Sequence, residues 1–247
     1  MTQEGQNVLV AGASRGIGAA IALRFARQGA RRVSVAGRTE NDLWIVAEGV
    51  RKLGAEAEAI VCDLTTEQGR KDAVAKAGPL DVVVYNAGGN RPQPFVDVTE
   101  ETYDSLFELN VRSGYFTAQE AARRMLRDGT TGCIVFVSSQ MGHVGGVGRT
   151  VYCATKHAVE GLVKAMALEL APSGIRVVSV APTFVRTDMT AAELDDPVVG
   201  GSLLEQIPLR RFATADDVAG AVVWAASADA AMVTGSSLVI DGGWTAR

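Results

Sequence analysis

The chain has 247 residues, of which 47% are hydrophobic and 21% charged; this is globular composition and excludes intrinsic disorder. With 24 Lys and Arg against 28 Asp and Glu, the net charge is −4 and no basic block stands out, so no nucleic-acid partner is expected. The apolar run near the start stops after five residues and no stretch approaches the ~20 residues that span a bilayer, so neither a secretory signal nor a membrane partner is expected. Three cysteines (Cys62, Cys133, Cys153) without CxxC spacing read as reduced thiols of a cytoplasmic protein. Only two histidines, His143 and His157, are present, and no metal site is expected.

In chain order, residues 7–11 read as a strand, 18–28 as a helix, 32–36 as a strand and 41–52 as a helix. Strands at 59–62, 81–85, 133–137, 176–180 and 237–240 then alternate with helical segments at 67–77, 100–127, 152–170 and 215–226. The strands are almost continuously apolar, as strands covered by helices on both faces must be. Gly29, Gly54, Gly78, Gly129 and Gly174 fall where helix C-caps belong. The alternation predicts an α/β protein: one Rossmann-like, doubly wound domain over residues 1–247, with a seven-stranded parallel sheet and helices on both faces. Residues 183–209 break the rhythm, being polar, with Pro197 and paired glycines; after the sixth strand such a segment is expected to be a substrate lid.

The first strand runs into Gly12-Ala13-Ser14-Arg15-Gly16-Ile17-Gly18 and then into a helix. Glycines let backbone approach a pyrophosphate, and a helix N-terminus offers free N–H groups and partial positive charge. The second strand ends at Gly37-Arg38 with no carboxylate to accept from a ribose 2′-hydroxyl. Arg38, joined by Arg15, can instead grip a 2′-phosphate, which favours NADP as cofactor and leaves NAD possible. Asp63 and Leu64 after the third strand suit the adenine, and Asn86-Ala87-Gly88 after the fourth lets adenosine lie against backbone.

Tyr152 and Lys156 stand four residues apart at a helix start and share one face. The ammonium is expected to lower the phenol's pKa from its ordinary ~10 and to hold a ribose hydroxyl. The fifth strand ends in Ser138-Ser139, whose hydroxyls can bond a substrate carbonyl oxygen while Tyr152 moves the proton.

Taken with Asn110 and the ending Thr234-Gly235 … Asp241-Gly242-Gly243, these motifs make the chain resemble the short-chain dehydrogenases/reductases along essentially its whole length. The resemblance implies Tyr152 as general acid/base, Ser139 orienting substrate, Lys156 tuning Tyr152 and binding ribose, and Asn110 holding a relay water. It also implies that the backbone around Val185, which follows Pro182, and the Thr187 hydroxyl hold the nicotinamide carboxamide. The family's Pro-Gly at this place reads Pro182-Thr183 here. Members are commonly homotetramers, and the alanines of the two long helices (Ala118, Ala121, Ala122; Ala154, Ala158, Ala165) suit close subunit packing.

The implied reaction interconverts a secondary alcohol and a carbonyl, with hydride passing to or from a nicotinamide. A small polar substrate, a sugar, polyol or hydroxy/keto acid, is expected, with Gln140, His143 and Phe184 as candidate contacts. Arg186 could bind an anionic one. A 3-oxoacyl-(acyl-carrier-protein) reductase is the alternative; that branch carries basic residues where this chain has Gly132-Cys133-Ile134 and Pro172-Ser173-Gly174, although Arg127 and Arg176 lie nearby. A non-catalytic nucleotide sensor is the third reading, disfavoured because every catalytic side chain is present. His157 and Cys153 are expected to pack, and no room remains for an epimerase-type substrate domain before Arg247.

Overall fold

A computed structural model of the chain describes residues 5–187 and 190–246, with the Glu193 side chain left aside; Asp188 and Met189 of the expected lid lie outside the described residues. The chain runs β1 (Asn7–Ala11), α1 (Gly16–Arg27), β2 (Arg32–Gly37), α2 (Glu40–Lys52), β3 (Glu56–Val61), α3 (Glu67–Ala77) and β4 (Val82–Tyr85). It continues with α4 (Glu100–Phe107), α5 (Ser113–Asp128), β5 (Cys133–Val137), α6 (Thr150–Leu170) and β6 (Arg176–Pro182). The last part holds β7 (Val185–Arg186), α7 (Ala191–Asp195), α8 (Val199–Glu205), β8 (Ala213–Thr214), α9 (Ala215–Ala226) and β9 (Ser237–Ile240).

Seven strands form one parallel sheet in the order β3-β2-β1-β4-β5-β6-β9. Because side chains alternate across a strand, each apolar run feeds both faces. Val8 and Val10 join Phe25 of α1, Leu43 of α2 and Val222 of α9 on one side. Leu9 joins Val83, Ile134, Met125 of α5 and Val163 of α6 on the other. The expected sheet and its two helical layers are therefore present. All five capping glycines have positive φ, from 67° to 92°.

The differences from the sequence expectation have local causes. β3 begins at Glu56 instead of 59, because at the sheet edge its Glu56 and Glu58 can remain solvated while the backbone pairs with β2. The segment 100–127 is not one α-helix: a π-helical turn, Glu108–Arg112, separates α4 from α5. Residues 183–209 contain β7, paired in parallel with β8, and the short helices α7 and α8. Ala118, Ala121 and Ala122 are buried in the chain's own core, so they are not available for subunit packing; Ala154 and Ala165 remain exposed.

β1 lies between β2 and β4, so the chain leaves the sheet in opposite directions on either side of it. The crevice such a reversal opens at the strands' carboxyl ends is where open α/β sheets bind ligands.

Candidate active site

At that crevice β1 ends against the residues that follow β4. The Asn86 and Ala87 N–H groups donate to the Ala11 carbonyl at 2.9 and 3.0 Å, and Asn86 Nδ2 donates to the Gly12 carbonyl at 2.7 Å. Gly12 turns here with φ +86°, and a Cβ on it would stand 2.5 Å from the Ala87 nitrogen, so only glycine fits. A Cβ on Gly18 would collide with the Gly12 carbonyl. The approach leaves the N-terminus of α1, with Gly16 and Ile17, facing the cleft. That terminus has no side-chain cap and no acidic residue in its first turn, while Arg15 stands beside it. Uncapped N–H groups with the positive end of a helix dipole form an anion site.

The adenosine end is built from the tips of β2 and β3. Ser14 Oγ lies so close over Gly37 that a Cβ there would come within 2.7 Å of it. Arg38 follows, exposed. The Asp63 carboxyl is held below its ordinary range by N–H and hydroxyl hydrogen bonds from Thr65 (3.0 and 2.8 Å), with a further contribution from the Arg38 charge. Leu64 is buried, its carbonyl accepting from the Arg70 guanidinium at 2.9 Å.

The reacting groups meet where β5 ends on the start of α6. Ser139 follows β5 and caps a 3-10 turn, Gln140–Gly142, its Oγ accepting from the Met141 N–H at 3.2 Å. Tyr152 stands on the same wall as Ser139, whose side chain acts to lower the phenol's pKa. One turn on, Lys156 Nζ donates to the Val137 carbonyl at 3.0 Å and lies 5.6 Å from the Tyr152 ring centre. The expected lowering of the phenol's pKa is not found. Burial raises it, outweighing the Ser139 side chain and the nearby Arg149 charge. Burial likewise lowers the Lys156 ammonium to about 8, against the opposing pull of Glu160.

Asn110 sits in the π turn and is 2% exposed. Its Oδ1 accepts from the Gly89 N–H (2.8 Å), and its Nδ2 donates to the Gly89 carbonyl (2.9 Å) and to Thr155 Oγ1 (3.1 Å). With its amide so committed, the side chain braces the loop after β4 to α6. The π turn shifts its residues out of ordinary helical register, a device common at functional sites.

The reacting side chains and the start of α1 line one cleft of about 400 Å³, whereas Arg38, Asp63, Leu64 and Asn110 stand off its wall. Asn86, Gly88, Ser139, Tyr152 and Lys156 are on its wall, with Pro182, Phe184, Val185 and Thr187 facing them. Gln140 is on it too, with a buried Oε1 that has no hydrogen-bond partner; Ser138 Oγ and Thr183 Oγ1 are likewise unpartnered. Thr183 replaces glycine without strain, since Arg210 is the one non-glycine residue with positive φ among the described residues. Phe184 packs on Trp244 with ring centres 5.4 Å apart.

Two expected contacts, His143 and Arg186, fall outside the cleft, while Val185 and Thr187 line it. His143 does not line the cleft: its Nε2 is 2.9 Å from Ser237 Oγ and 3.6 Å from Glu160 Oε1. Arg186 pairs with Asp195 at 2.6 Å. The Val185 carbonyl and the Thr187 hydroxyl are both engaged by Thr190 Oγ1, at 2.6 and 3.2 Å. Sequence reading overlooked Thr190, although Thr-x-x-Thr spacing is a local hydrogen-bonding signal. It also overlooked Arg149, which lines the cleft three residues before Tyr152, and Asn90 and Pro92 after β4. His157 caps within its own helix, Nδ1 lying 2.9 Å from the Cys153 carbonyl.

Comparison with known proteins converges on the same architecture. Residues 12–245 match a family model described as Enoyl-(Acyl carrier protein) reductase. D-erythrulose reductase of Gallus gallus is 40% identical over 240 residues, covering 97% of this chain and 96% of that protein. L-xylulose reductase of Homo sapiens is 38% identical over 242 residues, covering 98% and 97%. A crystal structure of a proposed 2-deoxy-D-gluconate 3-dehydrogenase from Agrobacterium tumefaciens with bound NADP superposes with a TM-score of 0.94 at 36% identity, covering 100% and 98% of the two chains. Similarity over the full sheet, the glycine turn and the Ser-Tyr-Lys wall leaves one conclusion: the chain belongs to the short-chain dehydrogenase/reductase family of oxidoreductases.

Proposed function

We propose that the protein is an NADP(H)-dependent reductase of small ketoses and related polar carbonyl compounds, working reversibly on the secondary alcohol. The observation that carries it is the meeting of Ser139, Tyr152 and buried Lys156 on the wall of one cleft that continues to the uncapped N-terminus of α1. The residues fit the dinucleotide. Gly12, Ser14, Arg15, Gly16, Ile17 and Gly18 form the pyrophosphate cradle, its turn held against Ala87 at a distance only a glycine at 12 allows, and Asn86, Ala87 and Gly88 form the floor beneath the adenosine ribose. Arg38, with Arg15, takes the 2′-phosphate, and Asp63 and Leu64 border the adenine. Pro182, Val185 and Thr187, all on the cleft wall, take the carboxamide. When bound, the nicotinamide supplies or accepts the hydride.

The rest is done by the chain. A phenol whose pKa is raised by burial stays protonated at neutral pH, so Tyr152 is ready to give its proton to a carbonyl oxygen. Ser139 donates to the same oxygen and stabilises its developing charge. Lys156, while charged, offsets the phenolate left on Tyr152. The unpartnered Gln140 oxygen is an acceptor for a substrate hydroxyl, which fits a polyhydroxylated substrate of the kind named in the relatives. The segment 183–209 serves as the lid, held at its ends by Phe184 on Trp244 and by the Leu209 N–H donating to the Gly242 carbonyl at 3.0 Å.

Carrier-protein docking fits less well, because the Arg176 guanidinium is spent on the Ala225, Val233 and Ser227 carbonyls at 2.7, 3.0 and 3.3 Å. Exposed Tyr103, Tyr115, Leu126 and Leu168 on α4, α5 and α6 support a homotetramer in place of the buried alanines, and three free cysteines support a reducing cytoplasmic setting. The test is NADPH oxidation with erythrulose, xylulose and an acetoacetyl thioester, repeated with NADH. Turnover of the ketoses with NADPH preferred is expected; turnover of the thioester alone would contradict the reading.

A further inference from the structure

Glu160 takes no part in the cleft wall, yet it is one turn from Lys156 on α6 and only 5% exposed. Its Oε2 accepts from Ser179 Oγ of β6 at 2.8 Å. Its Oε1 is buried with no hydrogen-bond partner, and the nearest base is His143, whose Nε2 stands 3.6 Å away while facing Ser237 of β9. The Gly142 backbone closes over it. A Cβ on Gly142 would come within 3.0 Å of Glu160 Cγ, 3.0 Å of the Lys156 carbonyl and 3.2 Å of Ser138 Oγ. The carboxylate is thus confined by the turn that presents Ser139 and cannot swing to water.

One serine hydroxyl does not offset the burial of a carboxylate, and a single backbone carbonyl does not offset that of an ammonium. The two buried ions sit on one face of one helix, i and i+4, the spacing at which helix side chains are neighbours. Among the described residues, the titratable groups facing Glu160 are Lys156 on α6 and His143 on the turn. β5, β6 and β9 bring only the hydroxyls of Ser138, Ser179 and Ser237.

We propose that Glu160 is a positioning residue for Lys156: its buried carboxylate is the counter-charge that keeps the lysine ammonium charged beside Tyr152, while Ser179 and the Gly142 turn hold that carboxylate in place. Lys156 alone is pressed by burial toward neutrality, and the Glu160 charge is the contribution that opposes this. The inference rests on the part given to Lys156 in the reaction, and its test separates the two.

The full-length protein, with labelled lysines, is titrated by NMR from about pH 6 to about pH 10, the Lys156 signal being the one missing from Lys156→Met. In Glu160→Gln, which keeps an acceptor for Ser179, the Lys156 midpoint is expected to fall by about one pH unit, and in Ser179→Ala, which keeps the charge, by a few tenths at most. The alkaline limb of kcat/KM for ketose reduction should move down with it, and Glu160→Asp should restore most of the shift. An unmoved Lys156 midpoint in folded Glu160→Gln overturns the proposal. A midpoint that moves while the pH–rate profile stays still upholds the through-space coupling of the two charges and refutes the role of Lys156 in the reaction. Should Glu160→Gln not fold alone, it is combined with Lys156→Met. There the unpaired carboxylate is the burden, so its removal is expected to raise Tm above that of Lys156→Met, and a lower Tm overturns the proposal.

Discussion

Gly12 shows how much one hydrogen atom decides. Its φ of +86° and the 2.5 Å approach of a Cβ to the Ala87 nitrogen mean that alanine meets both backbone strain and a clash between two strand ends. Gly12→Ala is expected to cost at least about 1–2 kcal/mol, read as a Tm lowered by several degrees, and to weaken NADPH binding measured by its fluorescence. A variant with native Tm and affinity would contradict the close-packed floor. If Arg38 takes the 2′-phosphate as proposed, Arg38→Ala is expected to cut the NADPH-over-NADH preference in kcat/KM about tenfold or more, the loss of a charge-assisted phosphate contact. An unchanged preference would remove Arg38 from the cofactor site. Both residues were legible from position alone. His143 was not, because its partners Ser237 and Glu160 come from β9 and α6, and no local pattern says which way a loop histidine turns.

Elements convey these local constraints to the cleft. α9 begins with a capping box in which Thr214 Oγ1 accepts from the Asp217 N–H at 3.1 Å and Asp217 Oδ2 accepts from the Thr214 N–H at 2.8 Å. Ala213 of the adjoining β8 donates to the Phe184 carbonyl at 3.2 Å, so this cap anchors the β7–β8 pair at the start of segment 183–209. Thr214→Ala is expected to lower stability by about 1 kcal/mol. The Asp217 carboxyl is held well below the carboxylate range, chiefly by the Arg211 guanidinium at 2.6 and 3.0 Å. A carboxyl with a depressed folded-state pKa stabilises fully above its unfolded value of ~3.9 and loses that contribution as pH falls further. The Tm gap between wild type and Asp217→Asn should therefore be widest near neutrality and narrow below about pH 4; a gap independent of pH would mean the charge contributes nothing.

The π turn is the element that sequence reading missed. Residues 100–127 have unbroken helical spacing, and nothing in their order marks an extra residue in one turn; the register shift comes from the pairing of Asn110 with Gly89 and Thr155, residues of other elements. β3 was legible only in its apolar half, since Glu56 and Glu58 carry the alternation of an edge strand. The positions of Ser139, Tyr152 and Lys156 were legible because a strand end and a helix start fix them. Their proton affinities were not, since burial sets those and burial belongs to the folded whole.

At the scale of the whole molecule, the fold brings the ends of β1, β4, β5 and β6 to one edge, where glycine turn, serine and tyrosine–lysine helix share a single cleft. A cofactor bound there stabilises the folded state by mass action. NADPH at about 100 times its Kd is expected to add roughly 2.7 kcal/mol, seen as a rise in Tm, and Gly12→Ala should lose most of that rise. The central claim is that Tyr152 carries the reacting proton in a cleft whose cofactor site is independent of it. It is tested most directly by Tyr152→Phe, comparing kcat/KM for NADPH-dependent ketose reduction with the Kd for NADPH. The expected result is a kcat/KM lower by about 10³-fold or more, with a Kd within about twofold of wild type. Turnover within tenfold of wild type would contradict it.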